Sequence, residues 1–169
     1  DAEAPPKQLV IDEVRSGIDA LITTLRDAID DEVFAAGAAA RLAVVAQMAV
    51  GFDNIDRAAA NRHRIPFTNT PDVLTDATAE FAFFMLGAVA RKLYPGEIRV
   101  RRQEWTTWHP YLPWLGDEVS GRSLAVVGLG RIGRSMVRKA IGFDMDLLCH
   151  DPAEDAQGFI AGVRRVLEA

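Results

Sequence analysis

The sequence predicts an α/β protein made of two parallel-sheet domains. Short apolar runs of strand length recur along the chain, and stretches with helical spacing of apolar residues separate them. The strand-like runs are residues 20–25, 42–48, 65–68, 124–127 and 145–149. Tyr94, Pro95 and Gly96 interrupt a long helix between the third and fourth runs. We therefore expect one domain over residues 1–94 and another over residues 95–169.

Helices are predicted between the strands of the first domain. Residues 7–17 alternate apolar and charged side chains at helical spacing and predict the first helix. The second is expected to run through residue 36 and the third over residues 54–64. Oxygen-bearing side chains cap helix N-termini, and the candidates here are Asp30 or Asp31 and Asp53 or Asn54. Pro66 lacks a backbone N–H and places the third strand near a sheet edge.

A longer helix is predicted over residues 76–93, with Thr75 or Asp76 as its cap. Apolar residues at helical spacing form one stripe along it, composed of Phe81, Phe84, Met85, Ala88 and Val89. Because such a stripe usually packs on other elements, we expect it to face the core.

The most informative feature is a glycine pattern between a strand and a helix. Residues 123–135 read SLAVVGLGRIGRS, an apolar strand followed by Gly128, Gly130 and Gly133. In dinucleotide-binding turns the first glycine permits a tight turn and the second lets backbone approach a pyrophosphate. The third glycine lets the helix pack close to the strand. A glycine turn without a ligand is the alternative interpretation.

Asp151 strengthens the prediction of a dinucleotide site. It follows the fifth apolar run and lies 18 residues after Gly133, close to where an acidic residue accepts hydrogen bonds from the adenosine ribose. A carboxylate there favours NAD and repels the 2′-phosphate of NADP, and Glu154 and Asp155 add negative charge. We expect NAD as the cofactor, with NADP as the alternative. An ordinary loop beginning at Asp151 is the other interpretation.

Composition limits the partners of this chain. Its 169 residues are 49% hydrophobic, and the net charge of −5 gives no general attraction to nucleic acid or to an anionic membrane. The single cysteine, Cys149, lies inside an apolar run and excludes a cysteine-rich metal site, so no bound metal is predicted. No apolar run approaches the roughly 18 residues of a membrane span, and the N-terminus lacks a signal-peptide pattern. These features favour a cytoplasmic protein with a small-molecule partner.

Three further segments carry a family resemblance. They are residues 50–56 (VGFDNID), residues 65–80 (IPFTNTPDVLTDATAE) and residues 105–110 (WTTWHP). With the glycine pattern downstream, the chain resembles the D-isomer-specific 2-hydroxyacid dehydrogenases over about residues 17–152. The third segment is most similar to the glyoxylate/hydroxypyruvate reductase branch. The motifs are specific jointly, in their order and spacing.

The resemblance implies a fold and an activity. Such enzymes combine a flavodoxin-like substrate domain with a Rossmann-like NAD-binding domain that carries the dimerisation segment. They transfer a hydride between NAD(P)H and a short 2-oxo or 2-hydroxy acid, here glyoxylate, hydroxypyruvate or glycerate, and a homodimer is expected. One alternative is a non-catalytic NAD-sensing protein that acts like a corepressor. Another is a related dehydrogenase of formate, phosphite or phosphoglycerate.

The resemblance also implies roles for single residues. The backbone N–H groups of Val50 and Gly51 would hold the substrate carboxylate, and Trp108 would reach into the neighbouring subunit's active site. Thr75 would face the cofactor, and Arg131 would pair with the pyrophosphate. The implied dinucleotide-binding set is Thr75, Gly128, Gly130, Arg131, Ile132, Gly133 and Asp151. The structural alternatives are a plain turn at Gly51, a helix cap at Thr75, a solvent-exposed Arg131 and interface packing by Trp108.

The catalytic motifs of the family do not occur in this chain. The family supplies an arginine and a histidine from Asn-x-x-Arg-Gly-like and His-Ile-Gly-Ser-like motifs, together with a glutamate. His63, His109 and His150 all lack the matching context, so no catalytic residue is predicted here. We therefore expect both domains to be incomplete and the 169-residue chain alone to be inactive.

Overall fold

The computed structural model describes residues 5–153, 157, 159 and 160. The chain forms two compact units, Asp1–Val73 and Leu74–Ala169. Each unit contains its own parallel sheet, which confirms the predicted α/β class.

The first unit is a three-stranded parallel sheet with three helices. Its elements are α1 (Lys7–Arg15), β1 (Ala20–Thr23), α2 (Asp31–Ala39), β2 (Val44–Gln47), α3 (Arg57–His63) and β3 (Phe67–Thr68). The strand order is β1-β2-β3, and the register pairs Ala20 with Val44 and Val45 with Phe67. β3 lies at an edge of this sheet, which confirms the expectation based on Pro66.

Apolar side chains from all three helices and the central strand form the core of the first unit. Val14 of α1, Val33 and Phe34 of α2, Val45 of β2 and Ala59 of α3 have no exposed surface. Burying a valine or phenylalanine side chain contributes about 1.5–3 kcal/mol to folding. The sheet is thereby held at a fixed distance from the helices that connect its strands.

Acidic side chains begin two of these helices. Asp30, one of the two predicted candidates, caps α2. α3 is capped by Asp56, whose carboxylate accepts a hydrogen bond from the N–H of Ala59 at 2.9 Å. The prediction of Asp53 or Asn54 is wrong, because a turn and a parallel bridge hold residues 53–55 outside the helix.

In the part of the second unit that the structure describes, two parallel strands pair and three helices have defined bounds. Its elements are α4 (Thr75–Ala90), α5 (Leu93–Arg101), β4 (Ser123–Val127), α6 (Arg131–Ile141) and β5 (Asp146–His150). β4 and β5 pair in register, from Ser123 with Asp146 to Val127 with His150. α6 connects the two strands and buries Val137 against Leu147 of β5 in the core of this unit.

α4 packs against α6. Phe83 of α4 joins the same core cluster as Val137 of α6. The hydroxyl of Ser135 on α6 donates a hydrogen bond of 2.6 Å to the Asp76 carboxylate on α4. Neither Thr75 nor Asp76 caps α4 as predicted, because the helix begins after Leu74 without a side-chain cap.

The boundary between the units follows from this packing. It lies at residues 73–74, whereas the sequence placed it at residues 94–95. The difference arises because the packing partner of α4 is distant in the sequence. The helical run is also interrupted earlier than expected. Lys92, with φ of 51°, separates α4 from α5, and Pro95 lies within the first turn of α5. Proline is tolerated there because the first N–H groups of a helix have no intrahelical acceptor.

The apolar stripe predicted for the core is exposed on α4. Phe81, Phe84 and Val89 are 68, 70 and 72% exposed, and the buried positions are Ala79 and Phe83. The prediction is wrong because α4 is apolar around most of its circumference, so that periodicity does not select the face that meets α6. No helix in the described part of the chain is nevertheless long and apolar enough to cross a membrane.

We predict that Asp56→Ala destabilises the first unit by about 1 kcal/mol through loss of the α3 cap. Chemical denaturation followed by circular dichroism measures the free energy of unfolding. Asp56→Asn, which keeps a capping oxygen, is expected to retain most of that stability. Asp53→Ala is the matched control, and a loss in it equal to that of Asp56→Ala would contradict the assignment of the cap.

Candidate functional site

The glycine turn between β4 and α6 has the geometry that the pattern predicts. Gly128 has φ of +98°, a conformation that favours glycine, and its N–H donates a hydrogen bond of 2.8 Å to the His150 carbonyl. A Cβ on Gly133 would collide with the carbonyl oxygen of Gly128. A Cβ on Gly130 would meet no atom within 4 Å, so the space in front of this backbone is open. The fold therefore requires glycine at positions 128 and 133, whereas at position 130 the open space leaves the backbone accessible.

The N-terminus of α6 faces this open space at Gly130, which occupies the cap position without a side-chain cap. The first N–H groups of a helix have no intrahelical acceptor, and the helix dipole makes this end positive. Arg131 and Ile132, the next two residues, are both exposed. This end of α6 can therefore receive an anion from the solvent side.

Asp151, directly after β5, is hydrogen-bonded to the glycine turn. Its Oδ2 accepts a hydrogen bond of 2.7 Å from the N–H of Leu129, and Oδ1 accepts one of 2.9 Å from the N–H of Ala153. The hydrogen bonds from Ala153 and Leu129 lower the pKa of the Asp151 carboxyl below its usual value. The carboxylate thus braces the glycine turn. Glu154 and Asp155 lie outside the described residues.

Val50 and Gly51 follow β2 in the first unit and present two adjacent backbone donors. The N–H of neither residue donates a hydrogen bond to any residue that the structure describes. Gly51 has no positive φ, so these two consecutive donors are carried on ordinary backbone. A Cβ on Gly51 would touch only Leu25 Cδ2, at 3.5 Å. Neither backbone conformation nor packing requires glycine here.

A buried polar network supports the segment of Val50 and Gly51. It was not predicted from the sequence. Thr23 and Gln47 are each 2% exposed, and the Thr23 hydroxyl donates a hydrogen bond of 2.6 Å to Gln47 Oε1. Gln47 Nε2 donates to the Gly51 carbonyl at 3.2 Å and to Asn54 Oδ1 at 2.8 Å. The sequence signal that could have indicated this network is Gln47, a polar residue at the end of the otherwise apolar β2.

The remaining predicted residues lie in the second unit. Thr75 is half-buried as the first residue of α4, next to Asp76, which binds Ser135 of α6. Trp108 is 70% exposed in the segment between α5 and β4. The structure therefore joins Asp151 directly to the glycine turn, links α4 to the turn's helix, and leaves Trp108 on the surface.

The three histidines lie in different parts of the fold. His63 Nε2 lies 2.8 Å from the Asp31 carboxylate on the exposed side of α3, and His109 Nδ1 accepts a hydrogen bond of 3.2 Å from the N–H of Tyr111. His150 ends β5 and pairs with Val127.

Two parallel sheets and a glycine-rich strand-to-helix turn define an α/β protein built like the dinucleotide-binding enzymes. A family model described as "D-isomer specific 2-hydroxyacid dehydrogenase, catalytic domain" matches residues 2–158. The chain belongs to this family.

Individual relatives agree with the family match. A glyoxylate reductase of Korarchaeum cryptofilum is 49% identical over 150 residues, which cover 88% of this chain and 44% of the relative. The crystal structure of the TT0316 protein from Thermus thermophilus matches with a TM-score of 0.83 and 37% identity, over 92% of this chain and 49% of that one. A 2-hydroxyacid dehydrogenase from Ketogulonicigenium vulgare gives a TM-score of 0.76 at 31% identity, over 92% of this chain and 48% of its own. The chain thus spans about half the length of the relatives that it matches.

We predict that Asp151→Asn lowers the melting temperature of the second unit at about pH 7, because the amide cannot accept both hydrogen bonds as a carboxylate does. The pKa of Asp151 is lowered in the folded state, so its contribution is present above about pH 4 and is lost as the pH falls further. Thermal melts between about pH 3 and pH 7 measure this difference. The difference in melting temperature between the wild type and Asp151→Asn should shrink as the pH falls. A difference that does not depend on pH would contradict the role of the Asp151 carboxylate in bracing the turn. Asp146→Asn, at the exposed start of β5, is the control.

Proposed function

We propose that this chain supplies the dinucleotide turn and the substrate-carboxylate donors of an oxidoreductase. The reaction is hydride transfer between NAD(P)H and a short 2-oxo or 2-hydroxy acid such as glyoxylate, hydroxypyruvate or glycerate. The observation that carries the proposal is the turn at residues 128–133 braced by Asp151. The glyoxylate reductases among the relatives support the substrate class.

The dinucleotide is held at the N-terminus of α6. The backbone at Gly130, with open space in front of it, receives the pyrophosphate, and Arg131 adds a positive charge at the same end. Ile132 offers apolar surface beside it. Asp151 accepts hydrogen bonds from the adenosine ribose and disfavours a 2′-phosphate, so NAD is preferred to NADP. When bound, the nicotinamide supplies or accepts the hydride. Thr75 is proposed to face the cofactor from α4.

The substrate is held by its carboxylate at the end of β2. The N–H groups of Val50 and Gly51 donate to the two carboxylate oxygens, and hydrogen bonds to a charged acceptor are stronger than those to a neutral one. Glycine at position 51 keeps the approach open. These residues bind and orient the substrate, and no proton donor for the alkoxide is assigned within this sequence.

The protein expressed from the whole reading frame that contains this sequence is expected to oxidise NADH in the presence of glyoxylate. Absorbance of NADH measures the rate, and the 169-residue chain alone is expected to show none. Gly130→Ala should raise the KM for NADH at least about tenfold, because a methyl group fills the space in front of the turn. Gly96→Ala on α5, which also meets no atom within 4 Å, is the matched control. Turnover by the 169-residue chain, or an unchanged KM in Gly130→Ala, would contradict the proposal.

The second unit is also proposed to form a homodimer. Apolar side chains line a groove of about 1000 Å³ between α4 and residues 118–120, 139 and 143. They include Phe84, Val119 and Phe143. Glu80 and Lys139 also line the groove, but they lie 3.9 Å apart as an ion pair within the chain, so the groove offers a second copy mainly apolar surface. Trp108, exposed on the same unit, would then reach the partner's substrate.

Phe84→Glu is expected to convert the dimer into a monomer, since a charge would be buried in the contact. Sedimentation velocity on the protein from the whole reading frame measures the state. Val73→Glu, at an equally exposed apolar residue outside the groove, should remain dimeric. A monomeric wild type, or a dimeric Phe84→Glu variant, would exclude this contact.

A further inference from the structure

Three consecutive peptide carbonyls after β2 are each held by a hydrogen bond from a fixed donor. The Ala49 carbonyl accepts from the N–H of Thr70 at 2.9 Å. The Val50 carbonyl accepts from the side-chain amide of Asn69, also at 2.9 Å. The Gly51 carbonyl accepts from Gln47 Nε2 at 3.2 Å. No peptide plane in this segment is therefore left without an anchor on its carbonyl side.

Anchoring a carbonyl also fixes the N–H of the following residue. In a trans peptide the C=O and the N–H lie in one plane and point in opposite directions. The bond from Thr70 to Ala49 therefore sets the direction of the Val50 N–H. The bond from Asn69 to Val50 sets the direction of the Gly51 N–H.

Two of the three donors directly follow the neighbouring strand, and the third lies at the end of β2 itself. Asn69 and Thr70 directly follow β3, and β3 pairs with β2 in parallel register. Asn69 is half-buried, so its amide has little freedom to leave the Val50 carbonyl. Gln47, on the other side, is held in turn by Thr23 and Asn54.

We propose that Asn69 is a positioning residue for substrate binding, because it fixes the peptide plane between Val50 and Gly51 with its N–H toward the carboxylate. This inference rests on the proposed role of these two N–H groups. Without the Asn69 amide, the Val50 carbonyl loses its half-buried donor and this plane is free to rotate, since Gly51 has no Cβ to resist it. A rotated plane presents a carbonyl oxygen to the carboxylate and repels it.

The test uses the variant Asn69→Leu in the protein expressed from the whole reading frame. Leucine keeps the size of the side chain and removes the amide donor without adding charge. The assay compares two substrates, glyoxylate and methyl glyoxylate. Both carry the reacting aldehyde, but the methyl ester lacks the negatively charged carboxylate. We expect kcat/KM for glyoxylate to fall about tenfold to a hundredfold, mainly through KM. The values for methyl glyoxylate and the KM for NADH should change by less than about threefold. Asn69→Gln, which keeps an amide donor, should recover part of the preference for the acid.

Asn61→Leu, an exposed asparagine on α3, controls for the substitution itself. If Asn69→Leu shows no cooperative melting transition, Asn69→Ser replaces it, because its hydroxyl is too short to reach the Val50 carbonyl. An unchanged preference for glyoxylate over its ester in the variant that folds would overturn the inference. A wild-type protein without glyoxylate-dependent NADH oxidation would instead overturn the proposed function, so the two failures are distinguishable.

Discussion

Parallel strand pairing is the constraint on which both candidate sites depend. It brings the carboxyl ends of neighbouring strands to the same edge of a sheet. In the first unit, Asn69 follows β3 and holds the loop that follows β2. In the second unit, Asp151 follows β5 and holds the turn that follows β4. Each loop with open backbone donors is thus braced by a side chain from the end of the adjacent strand.

The two braces act on opposite groups of the peptide. Asn69 donates to a carbonyl oxygen, whereas the Asp151 carboxylate accepts from an N–H. Only the second brace responds to pH, because the Asp151 carboxyl can be protonated and the Asn69 amide cannot. The buried pair of Thr23 and Gln47 lies behind the first loop, where an unsatisfied polar group would cost about 1–3 kcal/mol. Such a network leaves the loop few alternative arrangements.

Sequence patterns predicted the features that depend on neighbours along the chain. The glycine turn, the strands on either side of it and the position of Asp151 all follow from spacing within roughly 30 residues. The role of Asn69 could not be found this way, because its partner, the Val50 carbonyl, is set by which strands pair. The bond between Gln47 and Thr23 likewise depends on the pairing of β1 with β2. The exposed face of α4 has the same cause: Phe84 and Phe83 are adjacent and equally apolar, and only the position of α6 decides which is buried. The cap of α3 at Asp56 depended on a turn and a bridge that the pattern does not encode.

Gly51 differs in kind from the glycines of the other turn. Gly128 and Gly133 are demanded by the chain itself, through a left-handed conformation and a close backbone approach. Nothing in the folded chain demands glycine at position 51, where alanine would make only an ordinary contact with Leu25. The folded chain therefore accommodates a Cβ at position 51, whereas it does not accommodate one at position 133. A substitution at residue 51 therefore separates the proposed carboxylate site from the stability of the fold, which substitutions at residues 128 and 133 cannot do for the dinucleotide turn.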